Sequence, residues 1–335
     1  DKKDSLEPSM FLNELAPDIL FEDLKPTILS EESLIWAQQQ MLMSQGAPLI
    51  EGHIDDKINK RLENFVFSPS SIKNILECGL SFYYNNIVRV PSSPNEYLSY
   101  GNAIHHSMRH LVDTWVRDNK WMETDVLIDY FSGQMNRFKG HFTEKQFDSR
   151  LEQGKKLWQS MLPKKKEEYI QYKDVKTEYF VQSELGGVPI KGMVDKLIIE
   201  GQSVKIIDYK TGNLSKIKSK SKLSSRFKEG QVPSDYWLQV GIYCLMIEES
   251  AEYPWHNASG GVEPMVENEN GDFETIEITF SEDEKRIIKN CITTAFEKLT
   301  SRSFLEECGN KDCSWCRFAK NNDWVKYLPS EQIEL

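Results

Sequence analysis

Apolar residues recur every three or four positions over 68–170 and every second position beyond it, so helices come first and strands follow. From Ser68, the stretch SPSSIKNILECGLSFYYNNI opens on a cap-like Ser-Pro-Ser. It then carries Ile72, Ile75, Leu76, Leu80 and Tyr83 at helical spacing. A second helix is predicted from near Tyr100 (GNAIHHSMRHLVDTWVRD), with two more over 121–138 and 143–169, in which Trp115, Trp121 and Trp158 read as packing residues. Strands are predicted at 175–183, 188–200 and 203–210, divided by the hairpin signals Gly186-Gly187 and Gly201-Gln202, so three consecutive strands form a meander. A basic loop, 211–230, leads to a helix from Ser234 (DYWLQVGIYCLMIEES) and to an acidic strand region ending in ETIEITF. The helix 281–300 opens on Ser281 as N-cap with an acidic first turn. Before all of this, 1–65 is a polar, acidic stretch in which short apolar bursts alternate with Pro8, Pro17, Pro26 and Pro48, the pattern of a linker or tail. The expectation is an α/β domain over 66–335, with a mixed central sheet flanked by helices and a large helical region before the strands.

Composition narrows the class. The 335 residues are 39% hydrophobic and 28% charged, ordinary values for a globular chain. No run of about eighteen apolar residues and no secretory signal is present, so no membrane partner is expected and a cytoplasmic location is the default. The opening at Asp1 rather than Met reads as a piece of a longer protein. Six cysteines, unevenly spaced, do not suit a disulfide scaffold and fit a reducing compartment. Net charge is −11, which at first argues against a nucleic-acid partner. Its distribution reverses that: 1–65 carries −7 and 245–284 carries −12, leaving +8 on the remainder. Within 205–230 the net charge is +6, contributed largely by Lys216, Lys218, Lys220, Lys222, Arg226 and Lys228. Such a loop either clamps a nucleic-acid backbone through phosphate contacts or is simply a solvated basic loop.

The meander holds the chemistry. Asp195 lies in GMVDKL, and Asp208 and Lys210 lie in IIDYK, where period-2 alternation puts the latter two on one side of a strand and Tyr209 on the other. Carboxylates converging from neighbouring strands repel unless a cation sits between them. A hard divalent ion resolves this, since Mg²⁺ takes one or two carboxylates plus water and phosphate oxygens and activates a bound water. The plainer alternative is an exposed cross-strand Asp–Lys pair. Against it, Asp208 follows Val204, Ile206 and Ile207 and so ends a core strand.

The motif D-x(12)-D-x-K on a hairpin, followed by a helix bearing Gln239 and Tyr243 as Q-x-x-x-Y, resembles the PD-(D/E)XK nuclease superfamily, and within it the RecB/AddB-type branch. Gly101 and His105 match that branch's G-x-x-x-H helix, with His106 the neighbour that the register passes over. Glu178 stands where many members carry an acidic residue on the first strand. SPSSIKNILECGLSFYY resembles the family's opening helix. The resemblance implies a restriction-endonuclease-like core over about 66–320. It implies Mg²⁺ or Mn²⁺ held by His105, Asp195, Asp208 and the Tyr209 carbonyl, and Lys210 acting on the nucleophile and the transition-state charge. Gln239 and Tyr243 would orient the phosphate and the catalytic strand. The activity implied is hydrolysis of DNA phosphodiesters, of exonuclease or end-processing type, in repair or recombination. The alternative is a module that keeps the fold and binds DNA without cutting it.

Two further resemblances extend the expectation. Cys78 on the opening helix and Cys308, Cys313 and Cys316 in ECGNKDCSWCRF are similar to the four cysteines that hold a [4Fe–4S] cluster in AddB-like relatives. The usual C-x-x-C-x-x-x-x-x-C tail is altered, however, with Asn at 322 and the third cysteine ahead of the C-x-x-C. Zn²⁺ is the other ion that Cys₄ suits, and thiols packed without metal the third reading. Cys244 and Cys291, at apolar helical positions, read as core. EPSMFLNELAPDIL resembles a stretch that follows the last motif of UvrD-type superfamily 1 helicases. No G-x-x-x-x-G-K-[ST] phosphate loop occurs in the chain, so helicase motor domains, if present, would lie elsewhere in the same polypeptide.

Overall fold

The structure, a computed structural model, describes residues 51–321 apart from Ser92 and Glu229. The helicase-like stretch and Asn322 therefore lie outside the described residues. The chain divides into two compact units, 1–60 and 61–335, and everything below concerns the second. Helix α1 spans Glu51–Glu63.

Ser68 caps α2 (Pro69–Glu77) through a reciprocal pair with Ser71, and Pro69 sits at the first helical position where its missing N–H costs nothing. Cys78 breaks the helix and starts the short α3 (Gly79–Phe82), which runs on as a π-helical turn over Tyr83–Val88. The next helix, α4 (Glu96–Asp118), begins four residues before the predicted Tyr100, because Asn95 accepts the N–H groups of Tyr97 and Leu98. With α5 (Thr124–Arg137) and α6 (Glu144–Tyr169) it forms the helical layer, whose core includes Met108, Leu111, Phe131, Trp158 and Met161. Trp115 and Trp158 are buried there and Trp121 packs against them, as the sequence suggests.

Strands β1 (Asp174–Leu185), β2 (Val188–Glu200) and β3 (Ser203–Lys210) form the predicted meander. The stretch 214–220 is not loop but a short helix, α7 (Leu214–Lys220), capped by Asn213 and anchored by the buried Ile217. From α8 (Asp235–Glu248) the chain returns as β4 (Asn257–Pro264), parallel to β3, and β5 (Ile276–Ile278) closes a five-stranded mixed sheet in the order β1-β2-β3-β4-β5. The β3–α8–β4 crossover is what makes the sheet mixed. Helix α9 (Glu282–Thr300) starts on the expected Ser281 cap, and α10 (Ser314–Asn321) ends the described chain. Among the described residues no helix is long and apolar enough to cross a membrane.

The register divides the sheet into two chemical faces. Lys196 lies opposite Ile207, and Tyr209 pairs with Glu263, so Lys196, Tyr209 and Glu263 share the face covered by the helical layer. Asp208 and Lys210 point to the other face, toward α8. Cys244 and Cys291 are buried core residues, as expected.

Candidate active site

Strand β2 stops pairing with β3 at Lys196–Ile207. Beyond that point the N–H of Tyr209 donates to Asp195 Oδ2 at 2.9 Å instead of to a strand carbonyl. The Asp195 side chain thus replaces a ladder bond and is pinned beside the end of β3. His105 reaches the same place from α4: its Nδ1 is 3.4 Å from Asp195 Oδ2 and its Nε2 is 3.0 Å from the Tyr209 carbonyl oxygen. His106 is exposed, so of the two adjacent histidines it is His105 that reaches Asp195.

On β3, Asp208 is 5% exposed and lies two residues before the strand ends at Lys210. Its Oδ1 accepts from Gln239 Nε2 at 2.9 Å. Its Oδ2 is ion-paired with Lys210 Nζ at 2.7 Å. Lys210 Nζ also approaches Gln239 Oε1 at 3.4 Å and sits 4.8 Å from the ring centroid of Tyr236. Gln239 therefore holds the carboxylate and the ammonium together. One turn on, Tyr243 donates to the carbonyl of Met193 on β2 at 3.0 Å. This ring fits because position 192 is glycine, where a Cβ would come within 2.6 Å of Tyr243 Cε1. The Q-x-x-x-Y pair thus holds β3 through Gln239 and β2 through Tyr243.

The electrostatics follow from burial and crowding. Burial pushes the Asp208 carboxyl above the usual range, and Asp195 pushes it further, against the pull of Lys210. Asp195 is also penalised by burial, yet His105 and the Tyr209 N–H hold it below its ordinary value. Burial works against the Lys210 ammonium, but Asp208 outweighs it and the lysine is raised. His105 is likewise raised, since Asp195 overcomes the burial penalty. Asp195, the His105 imidazole and the Tyr209 carbonyl meet here, and Asp208, paired with Lys210, lies near enough to act electrostatically on Asp195 and His105. These donors fit a hard or borderline divalent cation, and the imidazole brings Mn²⁺ into range.

Other expectations fall out differently. Glu178 would oppose Asp195 by the β1–β2 register, but its backbone turns left-handed (φ 45°) and drops out of the ladder. The half-buried side chain makes no hydrogen bond or ion pair among the described residues, so the structure does not join Glu178 to the site. Lys216, Lys218, Lys220, Lys222, Arg226 and Lys228 are all exposed along α7 and the loop after it, with Lys220 paired to Asp235 at 3.2 Å. The four predicted cysteines do converge: the sulfurs of Cys78, Cys308, Cys313 and Cys316 all lie within 4.8 Å of one another.

One cluster escaped the sequence. Behind the site, on the helical-layer face, Lys196 donates to Glu263 Oε2 at 2.6 Å and to Tyr169 Oη at 2.7 Å, and Lys165 pairs with Glu263 Oε1 at 3.3 Å. All four side chains are buried. The only trace in the sequence is a lysine inside the apolar run VDKLII, which pattern reading treats as solvent-facing alternation.

A family model for the PD-(D/E)XK nuclease superfamily matches residues 66–320. No curated protein matches the chain. Among solved structures, one from Eubacterium rectale provisionally named an exonuclease aligns at 13% identity and TM-score 0.49, covering 83% of this chain and 93% of its own. Another, SSO0001, aligns at 13% identity and TM-score 0.28, covering 84% of this chain and 96% of its own. Likenesses this distant add no weight beyond the family match.

Proposed function

The chain belongs to the PD-(D/E)XK nuclease superfamily, and from that membership we propose that it is a deoxyribonuclease dependent on Mg²⁺ or Mn²⁺. The observation that carries the proposal is the meeting of His105, Asp195 and the Tyr209 carbonyl at the end of β3, beside the Asp208–Lys210 pair joined at 2.7 Å. His105, Asp195, Asp208 and Tyr209 O would hold the cation. When bound, it supplies Lewis-acid polarisation of the phosphate and a lowered pKa for the attacking water.

The chain's own groups do the rest. Lys210 is held positively charged beside Asp208, where it would neutralise charge developing on the phosphate oxygens in the transition state. Gln239 fixes the Asp208 carboxylate and the Lys210 ammonium in one geometry, and Tyr243 fixes β2 against α8, so the donors stay in place as substrate arrives. The exposed cations of α7 and its following loop lie in sequence between the catalytic strand and α8. We assign them to the DNA backbone, a contact that needs charge but no base reading. End processing in repair or recombination, as the nuclease part of a helicase–nuclease polypeptide, is the role this reading suggests. It is supported only by the RecB/AddB-type motif order and the helicase-like stretch near the N-terminus.

The test is digestion of linear single- and double-stranded DNA with Mg²⁺ or Mn²⁺, comparing the wild type with Asp208→Ala. Metal-dependent digestion by the wild type alone supports a nuclease. Equal digestion by both would sink the assignment. DNA binding without metal binding or cutting would favour the non-catalytic module.

A further inference from the structure

The four cysteines come from opposite ends of the unit. Cys78 caps α3, and Cys308, Cys313 and Cys316 lie some 230 residues later, around the start of α10. All four are free thiols. Cys78 and Cys316 are buried, and Cys308 and Cys313 are partly so. Sulfur separations are 3.7 Å for Cys78–Cys316, 3.6 Å for Cys308–Cys316 and 3.5 Å for Cys78–Cys313. Cys78 and Cys316 thus each have two sulfur neighbours, which is a closed cluster rather than two pairs waiting to become disulfides.

The spacing discriminates between metals. Four thiolates at ~2.3 Å from one tetrahedral ion stand about 3.8 Å apart. In a cubane each thiolate sits outside its own iron, and the sulfurs stand roughly 6 Å apart. The distances here, with every pair within 4.8 Å, are those of the single ion, and a cubane would require the sulfurs to spread. The surroundings suit thiolates. The N–H of Ser81 points at Cys78 Sγ from 3.4 Å, an outer hydrogen bond of the kind that stabilises metal-bound sulfur. The C-x-x-C pair straddles the start of α10, and Gly309, next to Cys308, takes the left-handed turn (φ 75°) that folds the segment back.

We propose that Cys78, Cys308, Cys313 and Cys316 bind a single Zn²⁺ in tetrahedral geometry, as a clasp that fastens the C-terminal segment to the opening helices. Each thiol that ligates gives its proton to solvent, so binding weakens in acid. The clasp has a bed to close on. Phe304 packs against Gly79, where a Cβ would come within 2.0 Å of the Phe304 carbonyl oxygen, and Trp315 stacks on Tyr84 at 5.0 Å between ring centroids. The ion thus closes a loop running from Cys78 to Cys308, with the whole sheet and the candidate active site inside it.

The full chain, expressed in medium replete with iron and zinc and purified without oxygen, gives the test. Metal analysis should find one zinc per chain, no acid-labile sulfide and no visible absorption. Replacing the metal with Co²⁺ should give the intense visible bands of a tetrahedral tetrathiolate site, lost in Cys313→Ala and kept in Cys291→Ala. If Cys313→Ala does not fold, titrating Co²⁺ into metal-stripped wild type reads the same bands. Chelation should lower the melting temperature and open the segment after Phe304 to protease. A brown protein with about four irons and matching sulfide would overturn the proposal, as would no uptake of stoichiometric Zn²⁺ or Co²⁺, or two disulfides by mass. None of these readouts involves DNA cleavage, so failure here leaves the nuclease reading standing, and the reverse holds too.

Discussion

Replacing Lys196 by Met tests whether the buried ion cluster behind the site is a structural support. Lys196 is 1% exposed and Glu263 fully buried, and the two are joined at 2.6 Å. Methionine preserves most of the side-chain volume and removes the charge. Breaking one partner of a buried pair typically costs ~3–5 kcal/mol, because the other charge is left without compensation. Here Glu263 keeps Lys165 at 3.3 Å and the Tyr169 hydroxyl at 3.0 Å, which places the loss near the lower bound, about 3 kcal/mol. For a unit of this size that corresponds to a fall in melting temperature of roughly 6–12 °C. Replacing both partners, Lys196→Met with Glu263→Leu, removes the stranded carboxylate while Lys165 keeps Glu168 at 2.7 Å, and should recover to within about 1–2 kcal/mol of wild type. Urea unfolding followed by tryptophan fluorescence measures all three variants. A single variant within about 1 kcal/mol of wild type, or a double variant less stable than the single one, would refute the reasoning.

The same cluster gives a pH dependence. Burial alone would raise the Glu263 carboxyl, but Lys196 and Lys165 hold it below the usual carboxylate range. Its contribution to stability is therefore present above the unfolded-state pKa and is lost as pH falls through the folded value, so acid unfolding should shift to higher pH in Lys165→Met. An unchanged acid midpoint would contradict this. At the site, Gly192→Val should displace the Tyr243 ring, costing ~1–3 kcal/mol of stability and at least tenfold in cleavage rate, whereas Gly133→Ala, on an exposed face of α5 with open space around its Cβ, should leave cleavage unchanged and raise stability by ~0.5–1 kcal/mol. Cleavage and unfolding curves on the purified variants decide it. Finally, replacing Lys216, Lys218 and Lys222 together by Gln should reduce the salt slope of single-stranded DNA binding by ~0.7 for each phosphate no longer neutralised, read by fluorescence anisotropy across a salt series. An unaltered slope would remove the loop from the DNA-binding surface.

What could be read in advance divides along physical lines. The meander, the Ser68 and Ser281 caps and the α8 helix were legible because local periodicity and capping chemistry determine them. His105 was legible because α-helical register ties it to Gly101, and the crowding of Asp195, Asp208 and Lys210 because alternation along a strand assigns faces. The four cysteines were singled out from the six, despite their unusual spacing, by their likeness to the cluster cysteines of AddB-like relatives. Helix α7 was missed because its sequence is almost wholly polar, and what holds it is one buried isoleucine and one asparagine cap. The Lys196–Glu263 pair was missed because pairing across a parallel β3–β4 ladder depends on a register that no local pattern states. Glu178 does lie on β1, but its φ of 45°, which no sequence pattern states, takes it out of the ladder opposite Asp195.

One measurement bears most directly on the proposed metal site: single-turnover cleavage of a labelled single-stranded oligonucleotide against Mn²⁺ concentration, with Mn²⁺ binding followed in parallel by electron paramagnetic resonance. Asp195→Asn and Asp208→Asn should lose Mn²⁺ binding and cleavage together. Lys210→Met should keep Mn²⁺ binding while its rate falls by ~10²–10³, the size expected when one transition-state charge partner is removed. Wild-type cleavage at unchanged Mn²⁺ dependence in Asp208→Asn would contradict the assignment.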